Sequence, residues 1–173
     1  MTRPIALVGL MGAGKSSVAR ILGERLGVPA VDLDLELEAA SGTPVARLFA
    51  RDGEGAFRTA ERAALERVLA AGAQVLACGG GVVLDPANRA VLKSRCRTVW
   101  LEVAPGEAAR RIAPDGPTRP LLGKGLPEER LNELLGARAP LYAEASELRV
   151  ATDARTPEEV AAEVLRRLEA APA

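Results

Sequence analysis

One stretch near the start of the chain restricts the fold more than any other. Ile5-Ala6-Leu7-Val8 is an apolar run. Gly9-Leu10-Met11-Gly12-Ala13-Gly14-Lys15-Ser16 follows it and fits G-x-x-x-x-G-K-[ST] in full, and Val18, Ile21 and Leu22 then recur at helical spacing up to Gly27. A buried strand, a glycine loop and a helix in that order form a phosphate cradle. Glycines let backbone N–H groups turn inward with no Cβ in the way, and the helix adds its positive N-terminal end. Lys15 supplies a mobile charge for the β- and γ-phosphates, and Ser16 offers a hydroxyl to Mg²⁺. The loop therefore predicts a MgATP site, with nucleotide contacts at Gly12, Ala13, Gly14, Lys15, Ser16 and Ser17.

The rest of the chain repeats the same alternation. Short apolar runs at Pro29–Leu33, Gln74–Ala77, Thr98–Val103 and Leu148–Ala151 read as strands. Between and after them lie helical patterns at Leu35–Ala40, Val45–Ala50, Gly55–Ala71, Pro86–Lys93, Glu107–Ile112, Glu128–Arg138 and Pro157–Leu168, the last opened by Thr156 as N-cap. Strands alternating with helices imply parallel pairing and a layered α/β fold. A chain of 173 residues, 48% apolar, suits one domain over 1–173. The stretch Ala113–Pro127, rich in proline and glycine, reads as a loop.

Composition removes several function classes. There is no histidine, which excludes a histidine base, a Ser-His triad and a His-ligated metal site. Twenty-three basic residues balance 23 acidic ones, which argues against nucleic-acid binding. No apolar run is long enough to span a bilayer, and Met1-Thr2-Arg3-Pro4 runs straight into a strand pattern, so neither membrane insertion nor a secretory signal is expected. Cys78 and Cys96 read as a reduced pair. These features predict a cytoplasmic, monomeric protein that works on small molecules.

The acceptor must be sought beyond the carboxyl ends of the strands. Asp32 and Asp34 follow the second strand, Gly79-Gly80-Gly81 the third, and a loop around Pro114–Leu122 lies past the fourth. Of two such carboxylates, one can hold Mg²⁺ through water while the other accepts or orients a hydroxyl proton; alternatively the pair simply caps the next helix. Three glycines in a row permit close approach of a ligand to the backbone, or form only a turn. Arg58, near a helix start, sits where the macrodipole disfavours a cation, which points to binding. Arg138 reads as lying at a helix end before Ala139-Pro140. Two arginines and a glycine nest suit an anionic acceptor such as a carboxylate.

Taken together, Gly9–Ser16, Val31-Asp32-Leu33-Asp34, Phe57-Arg58, Gly79-Gly80-Gly81, Thr118-Arg119-Pro120-Leu121-Leu122 and Arg138-Ala139-Pro140-Leu141-Tyr142 resemble the shikimate kinase family, in order and over nearly the whole chain. The resemblance implies a P-loop kinase fold with a five-stranded parallel sheet of order 2-3-1-4-5 between helices, an acceptor-binding helical part at about 33–61 and a mobile lid at about 112–126. It implies transfer of the γ-phosphoryl of ATP to the 3-hydroxyl of shikimate, on the route to chorismate and the aromatic amino acids. By position, Asp34 would bind the ring hydroxyls and act as base. Arg58 and Arg138 would clamp the carboxylate, and Gly79, Gly80 and Gly81 would meet the acceptor through backbone. Ser16 would ligate Mg²⁺, with Asp32 helping through water. Arg119 would reach the phosphates from the lid, and Arg110 and Arg155 would flank the adenine. Two departures stand out: the stretch from Arg111 to Arg119 is slightly longer than the family spacing, and Ala151–Arg155 matches loosely. Gluconate and adenylate kinases, which share the loop and a lid, and a nucleotide-binding regulatory module are the competing readings.

Overall fold

The computed structural model describes residues 3–72, 74–112 and 127–170. In chain order the elements are β1 (Ile5–Val8), α1 (Lys15–Leu26), β2 (Ala30–Asp32), α2 (Leu33–Ser41), α3 (Val45–Ala70), β3 (Val75–Ala77), α4 (Pro86–Arg95), β4 (Arg97–Glu102), α5 (Pro105–Ile112), α6 (Pro127–Ala145), β5 (Leu148–Ala151) and α7 (Pro157–Ala170), with a 3₁₀ turn at Val82–Leu84. The five strands form one sheet of order β2-β3-β1-β4-β5, as expected. Each neighbouring pair is parallel.

β1 is covered on both faces, which explains why it is apolar throughout rather than alternating. Ile5 and Leu7 pack with Val18, Ile21 and Leu22 of α1 and Val160 and Val164 of α7. Ala6 and Val8 face the other way, with Leu65 and Val68 of α3, Leu92 of α4 and Tyr142 of α6. Each fully buried leucine in these layers contributes roughly 1.5–3 kcal/mol of transfer free energy. Thr156 caps α7 as expected. Its Oγ1 accepts the Glu159 N–H at 3.2 Å, and the Glu159 carboxylate accepts the Thr156 N–H at 2.8 Å, a reciprocal capping box.

The helical patterns expected at Val45–Ala50 and Gly55–Ala71 form the two arms of α3, which are separated by a kink at Gly53, whose φ of 79° and ψ of 171° are not helical. One expectation needs revision: α6 does not stop at Arg138 but runs through Pro140 to Ala145. Proline forfeits one backbone bond there, yet Arg138, Tyr142 and Ala145 are all buried. Packing on both sides of the proline outweighs its local penalty. Arg138 is therefore a mid-helix residue held by tertiary contacts, not a cation decorating a helix end.

Candidate active site

The phosphate loop is built as its sequence demands. Gly14 is the N-cap of α1 with φ 83°, and no side chain caps the helix start. The N-terminal end of α1 thus presents backbone N–H groups and a positive dipole to the cleft. Lys15 Nζ folds over the loop and donates to the carbonyls of Gly9 and Leu10, both at 2.9 Å. Ser16 Oγ donates to Asp32 Oδ2 at 2.5 Å.

The Asp32 carboxylate caps the next helix and also takes a bond from Ser16. While Oδ2 takes the Ser16 hydroxyl, Oδ1 accepts the N–H of Asp34 at 3.0 Å and of Leu35 at 3.4 Å, capping α2. Capping fixes the start of α2 and so the placement of Asp34. The cleft in front of these groups has a volume of about 980 Å³; Asp34, Arg58, Glu61, Arg138 and all three glycines of 79–81 line it on the acceptor side.

The glycine run explains the site's tightness. None of the three has positive φ, so conformational freedom is not what they supply. Space is. A Cβ on Gly79 would lie 2.8 Å from Asp34 Oδ1 and 3.2 Å from Glu61 Oε1. On Gly80 it would lie 3.6 Å from the Met11 nitrogen of the phosphate loop and 3.7 Å from Arg138 Nη1. On Gly81 it would lie 2.5 Å and 2.6 Å from the Arg58 guanidinium nitrogens. Gly79 and Gly81 thus make room for Asp34 and Arg58, whereas a Cβ on Gly80 would make only ordinary contacts.

Glu61 was missing from the sequence reading. It is 1% exposed and accepts from Arg58 Nη1 at 2.8 Å, while Glu54 holds Nη2 more loosely at 3.5 Å. Burial pushes the Glu61 carboxyl above its ordinary value; the Arg58 charge opposes this and the nearby Asp34 charge adds to it. Glu61 locks the Arg58 fork facing Gly81. Phe49 and Phe57, with centroids 5.5 Å apart, form an apolar wall of the same cleft.

At the nucleotide end the arginines sort differently from expectation. Arg155 lines the cleft. Arg110 does not: its side chain is 74% exposed and held bidentately by Glu107 at 2.7 and 2.8 Å. Its neighbour Arg111 does line the cleft. Arg111 bonds the Gly12 carbonyl at 3.3 Å, Thr152 Oγ1 at 3.1 Å and the Thr152 carbonyl at 2.7 Å. Hydrogen bonds from Arg110, then Arg111, hold the Glu107 carboxyl down to about 2. Its contribution to folding is present above the ordinary carboxylate range and is lost as pH falls towards 2. Arg119, and the expected lid apart from residue 112, lie outside the described residues. Cys78 and Cys96 are buried free thiols.

The family model for shikimate kinase matches residues 11–169. The chain belongs to the shikimate kinase family. A shikimate kinase from Symbiobacterium thermophilum is 43% identical over 166 residues, 95% of each chain. The solved structure of shikimate kinase from Acinetobacter baumannii in complex with shikimate superposes with a TM-score of 0.94 at 36% identity, covering 98% of this chain and 94% of that one. A gluconokinase from Sinorhizobium meliloti, 20% identical with a TM-score of 0.61 over 97% of this chain and 92% of its own, shares the fold alone. The chain is thus an ATP-dependent shikimate kinase, an enzyme of aromatic amino-acid biosynthesis with a P-loop kinase fold. Among the described residues no helix is long and apolar enough to cross a membrane.

Proposed function

We propose that this chain moves the γ-phosphoryl of ATP to the 3-hydroxyl of shikimate with Asp34, Arg58, Arg138 and the glycine run as the acceptor site. The observation that carries the assignment is the run Gly79–Gly81, in which Gly79 is pressed against Asp34, Gly81 against Arg58, and the Gly80 carbonyl accepts from Arg138. Two guanidinium groups lining one cleft with the glycine run suit a carboxylate. The Asp34 carboxylate in the same cleft suits ring hydroxyls. Asp34 accepts the proton of the attacking hydroxyl, and the arginines hold the ring so that this hydroxyl faces the phosphate loop, since phosphoryl transfer depends mainly on position and charge. Lys15, Arg119 and the N-terminal end of α1 stabilise the phosphates, with Arg155 and Arg111 on the adenine side.

Magnesium fits the donors present. Ser16 Oγ and Asp32 Oδ2 are hard oxygens 2.5 Å apart, and among the described residues no cluster of three or more His, Cys, Asp or Glu offers a closed metal cage. A pair of donors suits an ion that keeps water and phosphate in most of its shell. When bound there, Mg²⁺ supplies charge neutralisation on the phosphates. The substrates are small molecules, and the working unit is a monomer.

A coupled ADP-release assay with shikimate, gluconate and AMP tests the assignment. Shikimate alone is expected to support turnover; turnover on AMP or gluconate without shikimate activity refutes it. Arg58→Ala tests the clamp. Its shikimate KM is expected to rise at least about thirtyfold, or about 2 kcal/mol, with the ATP KM little changed; an unchanged shikimate KM removes Arg58 from the clamp. The variant also leaves Glu61 buried without its cation. A buried carboxyl with a raised value favours the folded state when protonated, so ionised Glu61 costs stability that Arg58 offsets. The stability deficit of Arg58→Ala should therefore be smaller at about pH 5 than at about pH 8.

A further inference from the structure

A carbonyl oxygen has two lone pairs, and Gly80 spends both on α6. Arg138 Nη1 donates to it at 3.1 Å and Tyr142 Oη at 2.5 Å. The two residues lie one helical turn apart on the same face, on either side of Pro140. Arg138 is 5% exposed and Tyr142 is fully buried. The Tyr142 ring packs against Trp100 with centroids 5.6 Å apart, and Trp100 lies beside Gly9 of the phosphate loop.

We propose that Tyr142 is a positioning residue of the acceptor site: its hydroxyl draws the Gly80 carbonyl onto α6 and so turns the N–H of the Gly80–Gly81 peptide towards the acceptor. The inference rests on the reading of Gly80, Gly81 and Arg138 as acceptor-side groups. In a trans peptide the C=O and N–H point in opposite directions, and the described chain contains no cis bond. A carbonyl drawn to α6 therefore directs the Gly81 N–H to the opposite side, where Gly81 lines the cleft. The peptide joins two glycines, so without external bonds its orientation is weakly determined. Tyr142 provides such a bond from a rigid helix. Burial pushes its phenol up to about 12, so it stays a donor throughout the range where an enzyme works.

The test is Tyr142→Phe in the full chain, which removes the hydroxyl and keeps the ring against Trp100. The shikimate KM is expected to rise about tenfold while the ATP KM stays within about twofold. A merely structural hydrogen bond would lower thermal stability without moving the shikimate KM. Tyr142 is the chain's single tyrosine, so growth on 3-fluorotyrosine places one fluorine label at this position. Its resonance is expected to shift as shikimate is added, with the midpoint seen in turnover. An unchanged shikimate KM in Tyr142→Phe overturns the proposal. If that variant does not fold, a fluorine resonance indifferent to saturating shikimate overturns it. A wild-type enzyme inactive on shikimate instead refutes the acceptor assignment itself.

Discussion

Asp34→Asn is expected to lower turnover about a thousandfold, within the range that positioned proton transfer supplies, while the protein stays folded. Asn keeps the shape of Asp and fits against Gly79, where a Cβ would already lie 2.8 Å from the carboxylate. It loses the capacity to accept a proton from the attacking hydroxyl. The Asp34 charge also raises the neighbouring buried Glu61, so neutralising position 34 relieves a like-charge repulsion. Steady-state turnover with both substrates saturating, alongside a thermal melt, separates the outcomes. Turnover within about tenfold of wild type would remove Asp34 from the proton-accepting role.

Gly9→Ala is expected to be the most damaging single methyl group in the nucleotide half. Gly9 has φ 141°, outside the range that residues with a Cβ adopt readily. The added Cβ would also run into the Leu101 carbonyl oxygen of β4, which cannot withdraw because β4 pairs with β1 on one side and β5 on the other. Backbone strain and overpacking together cost about 3 kcal/mol or more, or roughly 10 °C of melting temperature for a domain of this size. The same displacement moves the carbonyl that anchors Lys15, so ATP binding should weaken in parallel. A melting temperature within about 2 °C of wild type would show that the loop and β4 give way more easily than their geometry implies.

The legible parts of this molecule were those carried by local pattern. Ile5–Ser16 announces strand, loop and helix because each residue in it answers a local demand. Asp32 and Asp34 were legible as a pair, and the structure divides the oxygens of Asp32 between capping and Ser16. Glu61 was not legible because Arg58-x-x-Glu61 looks the same as any exposed ion pair at i,i+3; what distinguishes it is burial beneath the glycine run, a tertiary fact. The end of α6 was misread because Pro140 is a strong local stop signal, while the contacts that override it come from Gly80, far away in sequence. The cleft-side position of Arg111, which the sequence analysis did not single out, follows from periodicity. Ala108 and Ile112 mark the buried face of α5, and position 111 lies three residues from 108 on that side, whereas 110 points away.

The two-sided burial of β1 has a mechanical consequence. Its alternate side chains belong to both cores, and it pairs with β3 and β4, so detaching it means dismantling the whole sheet. The nucleotide loop hangs from that strand. Asp34 and Arg58, the residues proposed for the acceptor, instead hang from α2 and α3, which follow the three-residue edge strand β2, itself only half covered. Opening free energies within one domain range from near zero at such margins to the full global value at the centre. The donor side is thus anchored at the centre of the sheet, whereas the proposed acceptor side is shared between that margin, through Asp34 and Arg58, and the buried β3 and α6, through Gly79–Gly81 and Arg138.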